Sequence, residues 1–263
     1  MINDVLRYVC ISVQNAVLLF VLHRIFRLVR RGNRSMSAVF FAFATATFLV
    51  SDLYWLAFVL LKQDARLPFT PSDVADNGVL LLIGSMVASA FRDRQEKTTT
   101  LVAATAAFAL ANAALWIAWS GEWVKDVIGT LPFAYLVYFV ARGLKLSGAL
   151  RRWEWTALGA GCAALIVLEV VILFCPRPLN MALDVVCNAL LSAGIALFFW
   201  ESIRGLRSGA DAERSISLTA AAVTWCLCFM YMSAEPVWFA ADILCTAAFV
   251  LMLLAMERQV GEA

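Results

Sequence analysis

Two carboxylates stand where charge is costly. Asp52 lies inside FLVSDLYWLAF, and Glu169 inside ALIVLEVVILF. A charge in such a setting must be neutralised, hydrogen-bonded or put to use, and it normally faces a bundle interior or a wet cavity. Other polar side chains recur in comparable apolar surroundings: Asn112, Asp184, Asn188 and Asp242, with Gln14 and Asn15 near the start of the chain. Asp184 and Asn188 are four apart and so share one helical face. Several acids and amides around one space suit a small polar or cationic ligand. The ring faces of Tyr54 and Trp55 would add to its recognition. The same groups also suit proton or solute transfer, or an intramembrane hydrolase using two carboxylates as acid and base. The structural alternative is that Asp52 is a protonated or hydrogen-bonded residue joining helices.

The elements that must position these groups are transmembrane helices. The chain has 263 residues, of which 63% are hydrophobic and 15% charged, and its mean hydropathy is +0.82. Soluble domains are nearer a quarter charged. Nine apolar segments, near 5–23, 36–61, 73–91, 100–119, 123–141, 155–174, 179–200, 216–234 and 237–256, each approach the length that crosses a bilayer. The expected fold is a single all-α, polytopic membrane bundle over residues 1–263. Ser120-Gly121-Glu122 and Glu235-Pro236 are the expected tight breaks. The seven cysteines contain no CxxC pair and read as small packing residues. The acidic MIND start, followed by an apolar run without a small-residue cleavage site, predicts no cleavable signal peptide.

Basic residues alternate between loops. Sixteen of the 21 fall after the odd-numbered spans, beginning with Arg24, Arg27, Arg30, Arg31 and Arg34 and ending with Arg258. The positive-inside rule then predicts a cytoplasmic C-terminus and an N-terminus outside. In that orientation the acids fall in the outer half of the membrane. After the first span the chain reads as four hairpins, whose return helices carry Asp76, Asp126, Asp184 and Asp242 at spacings of 50, 58 and 58. Such hairpins suggest an internal repeat, and repeat interfaces often carry ligand sites. Asp73, Asp76 and Asp126 stand in the first turn or two of their helices, where a carboxylate meets free backbone N–H groups and the positive dipole end. That capping role accounts for them. Asp184 and Asp242 sit deeper. Trp116, Trp119, Trp123 and Trp238 join Tyr54 and Trp55 toward the outer side, either as an interfacial belt or as a wall for a cation.

Other chemistries are excluded or disfavoured. His23 is the one histidine, which excludes bis-histidine haem and argues against a histidine-based metal site. Lys62, Lys97, Lys125 and Lys145 lie at helix ends or in loops, leaving no mid-membrane attachment for retinal. No Walker loop, nucleophile elbow or HExxH occurs, so no cofactor is expected. The loops are too short for a kinase, cyclase or nucleic-acid-binding domain. Helix breakers inside the spans are scarce, Pro132 being the main one, whereas many ion-coupled transporters use broken helices at their sites.

Asp52-Leu53-Tyr54-Trp55 followed by Asp76, with Asp184 and Asp242 in later hairpins, resembles the multi-helix sensory membrane domains of bacterial signalling proteins. The resemblance implies a recognition module in the bacterial cytoplasmic membrane. Those domains precede signalling outputs, and no output domain is evident here, so it further implies signalling through a partner protein in the membrane or cytoplasm. Ser51-Asp52 is similar to the Ser-Asp pair of membrane lysoplasmalogenases, but the small residue expected after that pair is displaced. The expected partners are membrane lipids, a small-molecule ligand and that partner protein, and no nucleic acid.

Overall fold

In the computed structural model, residues 2–30, 35–61, 70–94, 99–120, 123–232 and 235–262 are described. Among them the chain forms nine α-helices: α1 (Ile2–Arg30), α2 (Met36–Leu60), α3 (Pro71–Ala90), α4 (Thr99–Ser120), α5 (Trp123–Leu146), α6 (Arg152–Phe174), α7 (Arg177–Ser208), α8 (Ala212–Met232) and α9 (Glu235–Glu262). The protein is an all-α polytopic membrane bundle. Eight helices are long and apolar enough over their described residues to cross a membrane. α8 is the remaining one. Its 21 residues span about 31 Å at 1.5 Å per residue, but it opens with Glu213 and Arg214 and carries several Ser and Thr.

The helices overrun the predicted apolar spans mostly at the arginine-rich ends: α1 continues to Arg30, α5 to Leu146 and α7 to Ser208. Apolar composition marks the hydrocarbon thickness, whereas backbone hydrogen bonding continues through the headgroup layer, where long basic side chains reach water.

Each expected hairpin packs on itself: α2 on α3, α4 on α5, α6 on α7 and α8 on α9. Further contacts run α9–α1–α2–α3–α5–α4–α6–α7, and α8 touches α3, α5, α7 and α9. α8 is therefore a hub, with Ile216, Leu218, Ala220, Ala222 and Val223 fully buried. Three of its hydroxyls are satisfied within its own helix: Ser217, Thr219 and Thr224 donate to carbonyls four residues back at 2.8–2.9 Å, whereas the Ser215 hydroxyl is buried without a partner. Small residues let helices approach closely in membranes, where packing replaces the hydrophobic drive between helices. At Gly143 a Cβ would stand 2.7 Å from Val87, 3.0 Å from Ser217 and 3.2 Å from Phe91, so α3, α5 and α8 meet there with no room for a side chain.

The arginine-rich ends gather at one end of the bundle. Arg24 of α1 pairs with Glu257 of α9 at 2.6 Å. Arg94 pairs with Glu213 of α8 at 2.7 Å and donates to the Leu146 carbonyl at 3.1 Å. Arg142 donates to the Arg94 carbonyl at 2.6 Å, Arg214 to Ala149 at 3.3 Å, and Arg258 to Leu206. Residues that read as a topology signal thus also satisfy carbonyls that helix ends and turns leave unpaired.

Candidate functional site

At the opposite end, four helices bring acids and amides together. Gln14 of α1 donates through Nε2 to Asp242 Oδ1 of α9 at 2.8 Å, and both are buried. Ser51 of α2 donates to Asp76 Oδ1 of α3 at 2.7 Å. Asp52 lies among these groups, close to Asp242 and Asp76, with Gln14 in hydrogen-bonding reach of its carboxyl. It is only 7% exposed, and its Oδ2 is buried with no hydrogen-bond partner. Asp52 is about 12 Å along α2 from Leu60, Asp76 about 8 Å from the start of α3 and Asp242 about 10 Å from the start of α9. The three carboxylates therefore occupy one layer near that end. On the side toward the bundle centre, Phe249 stacks on Phe48 at 5.0 Å and on Phe41 at 5.9 Å, which closes the layer with an apolar floor.

The neighbouring acid plays a different part. Asp73 Oδ2 accepts from the Thr70 backbone N–H and hydroxyl, both at 2.7 Å, and Lys125 reaches Asp73 Oδ1 at 3.3 Å. Asp73 caps α3, as its position predicts. Asp76, assigned the same role from sequence, instead receives Ser51 and joins the cluster. The available signal was its spacing: a residue three past the cap carboxylate leaves the helix end and turns along the helix toward α2.

Glu169 stands in a separate group. It is buried on α6, beside Asp184 of α7, with Cys187 and Trp119 in hydrogen-bonding reach. α2 packs on α1 and α3, whereas α6 packs on α7 and α4, so Asp52 and Glu169 are not brought together. Asn188 does share a face with Asp184, but its Nδ2 donates at 3.0 Å to the Asp184 backbone carbonyl, and its Oδ1 is buried without a partner. Asn112 donates to Phe108 of its own helix at 2.8 Å. Asn15 likewise turns inward along α1, to the Ile11 carbonyl at 2.8 Å. Tyr54 and Trp55 are half-buried and pack against Phe58, at 6.5 and 5.7 Å. The Trp238 side chain lies outside the described residues.

No group of three or more His, Cys, Asp or Glu is placed to hold a metal ion among the described residues.

Fold and site together define a polytopic helical membrane protein with a buried carboxylate cluster shared by α1, α2, α3 and α9. Set against protein-family models, curated proteins and solved structures, the chain matches none of them.

Proposed function

We propose that this protein is a sensor-like module of the bacterial cytoplasmic membrane that recognises a small cationic ligand, of amine chemistry, at the cluster of Asp52, Asp76 and Asp242. The carrying observation is the unpartnered Oδ2 of Asp52, buried beside two other carboxylates. Gln14 and Ser51 already serve Asp242 and Asp76. The unserved oxygen of Asp52 is the one that an ammonium N–H would satisfy. A buried acceptor left unmet costs about 1–3 kcal/mol, so a ligand that meets it gains that much beyond its charge attraction. Because the cluster draws on α1, α2, α3 and α9, a ligand in it bears on all four helices at once, and that coupling is what a partner protein would read. In the orientation favoured by the positive-inside rule, the N-terminus is outside and the cluster lies in the outer half of the membrane.

A thermal-shift series on purified protein in detergent tests this reading, with amines, amino acids, inorganic cations and lysolipids as probes and Asp52→Asn alongside. An amine that stabilises the wild type and leaves Asp52→Asn unmoved supports it. If no probe separates the two proteins, the cluster is a helix-joining device. Proteoliposome flux of the stabilising amine would replace sensing with transport. Release of product from a lysolipid would replace it with hydrolysis.

A further inference from the structure

The second chemical feature of the molecule lies away from the carboxylates, between α4, α5, α6, α7 and α8. A cavity of about 510 Å³ opens there, within the range of small-molecule sites. Its walls are almost wholly apolar, with Val137, Cys162, Leu191, Phe198 and Trp225 among them. A second cavity of about 390 Å³ is polar and includes Arg151, Glu154, Glu201, Arg204 and Arg214.

The two are placed end to end. On α6 the polar cavity takes Glu154 and the apolar one the next residue, Trp155. On α7 the apolar cavity includes Phe198 and the polar one Glu201, one turn further. On α5 the apolar lining reaches Leu144, and Gly148 and Ala149 of the polar cavity follow the helix end. On α8 Arg214 stands seven residues before Ala221, about 10 Å along the helix. All four elements give the same order: polar at the arginine-rich end, apolar inward.

The apolar cavity is also open sideways. Ala104 and Ala107 of α4, and Gly159 and Ala163 of α6, line it and are themselves exposed. A Cβ on Gly159 would meet nothing within 4 Å. Exposed surface at this depth faces lipid, so the slot between α4 and α6 connects the cavity with the bilayer.

We propose that the two cavities together seat one anionic glycerophospholipid of phosphatidylglycerol chemistry, with an acyl chain in the apolar cavity and the head in the polar one. Three arginines match a phosphate. Two glutamates beside them match head-group hydroxyls, which a phosphate alone lacks. Glu201 holds Arg204 at 3.4 Å, and Glu154 Oε2 accepts the Arg151 backbone N–H at 2.6 Å. Arg214 lines the polar cavity and has a buried Nε with no hydrogen-bond partner, a donor that a phosphate oxygen would meet once the side chain turns toward the cavity. This inference is independent of the proposed cation site.

Native mass spectrometry of the protein released from mixed micelles of phosphatidylglycerol and phosphatidylcholine, matched in chain length, tests it. The expected result is one retained phosphatidylglycerol, preferred on the order of tenfold. Arg214→Gln should bring the two lipids to near parity. Gly159→Phe, which fills the slot and leaves every charge in place, should abolish retention of the single lipid. Three results would overturn the proposal: equal retention of both lipids by the wild type, a preference that survives Arg214→Gln, or a preference that survives Gly159→Phe. The last would assign the preference to surface arginines. A melting curve on each variant separates loss of the site from loss of the fold.

Discussion

Gln14 and Asp242 meet at 2.8 Å although 228 positions separate them. The bond is buried and joins α1 to α9, so it closes the ring of helices beside the carboxylate cluster. Gln14→Ala removes the donor and leaves a buried carboxylate oxygen unserved, a loss of about 1–3 kcal/mol. Denaturant unfolding of the reconstituted protein measures this. Combining it with Asp242→Asn in a double-mutant cycle should give a coupling of about 0.5–3 kcal/mol. Additive single effects would show that the two side chains do not depend on each other.

Asp52→Asn should leave the fold intact and stabilise the ligand-free protein by about 1–2 kcal/mol. It replaces an oxygen without a partner by an N–H₂ that can donate to the neighbouring carboxylates. Melting in detergent without added amine is the measurement. A lower melting temperature would mean that the Asp52 carboxylate itself holds the helices together.

Gly143→Val should destabilise the bundle by about 1–3 kcal/mol, because overpacking forces side chains off their rotamers or helices apart. The contact at risk is the junction of α3, α5 and α8, where even a Cβ meets Val87 at 2.7 Å. Gly159→Val, at a position with open space, serves as the matched control and should cost far less. Comparing the two melting temperatures checks the packing directly.

In a background without the seven native cysteines, Arg207→Cys and Trp123→Cys, both at exposed positions, report orientation. An impermeant maleimide added to intact cells should label the cysteine at position 123 and spare that at 207. The reverse pattern would place the carboxylate layer in the cytoplasmic half and remove the case for a ligand from outside.

The bundle was legible in the sequence because hydropathy and arginine placement act along the chain, and both are local. The carboxylate cluster was legible in part. Asp52 and Asp242 stood out because a carboxylate in apolar sequence has few explanations. Asp76 did not, since a capping position already explained it. Glu169 looked equivalent to Asp52 by the same local argument, yet it belongs with Asp184. Which helix lies beside which is decided by side-chain fit around α8, and composition does not encode that order. The composite cavity was invisible for the same reason: its walls come from five helices whose facing sides look like any other apolar surface.

The place of α8 at the centre has a consequence for biogenesis. α8 is synthesised after α3, α5 and α7, the three earlier helices that pack on it. Until α8 is made, the face that α3 and α5 present to it at Val87 and Gly143 lacks its partner. The hairpin of α8 and α9 completes both the hub and, through Asp242, the carboxylate layer. A polypeptide interrupted before it would hold most of the helices and neither of those features.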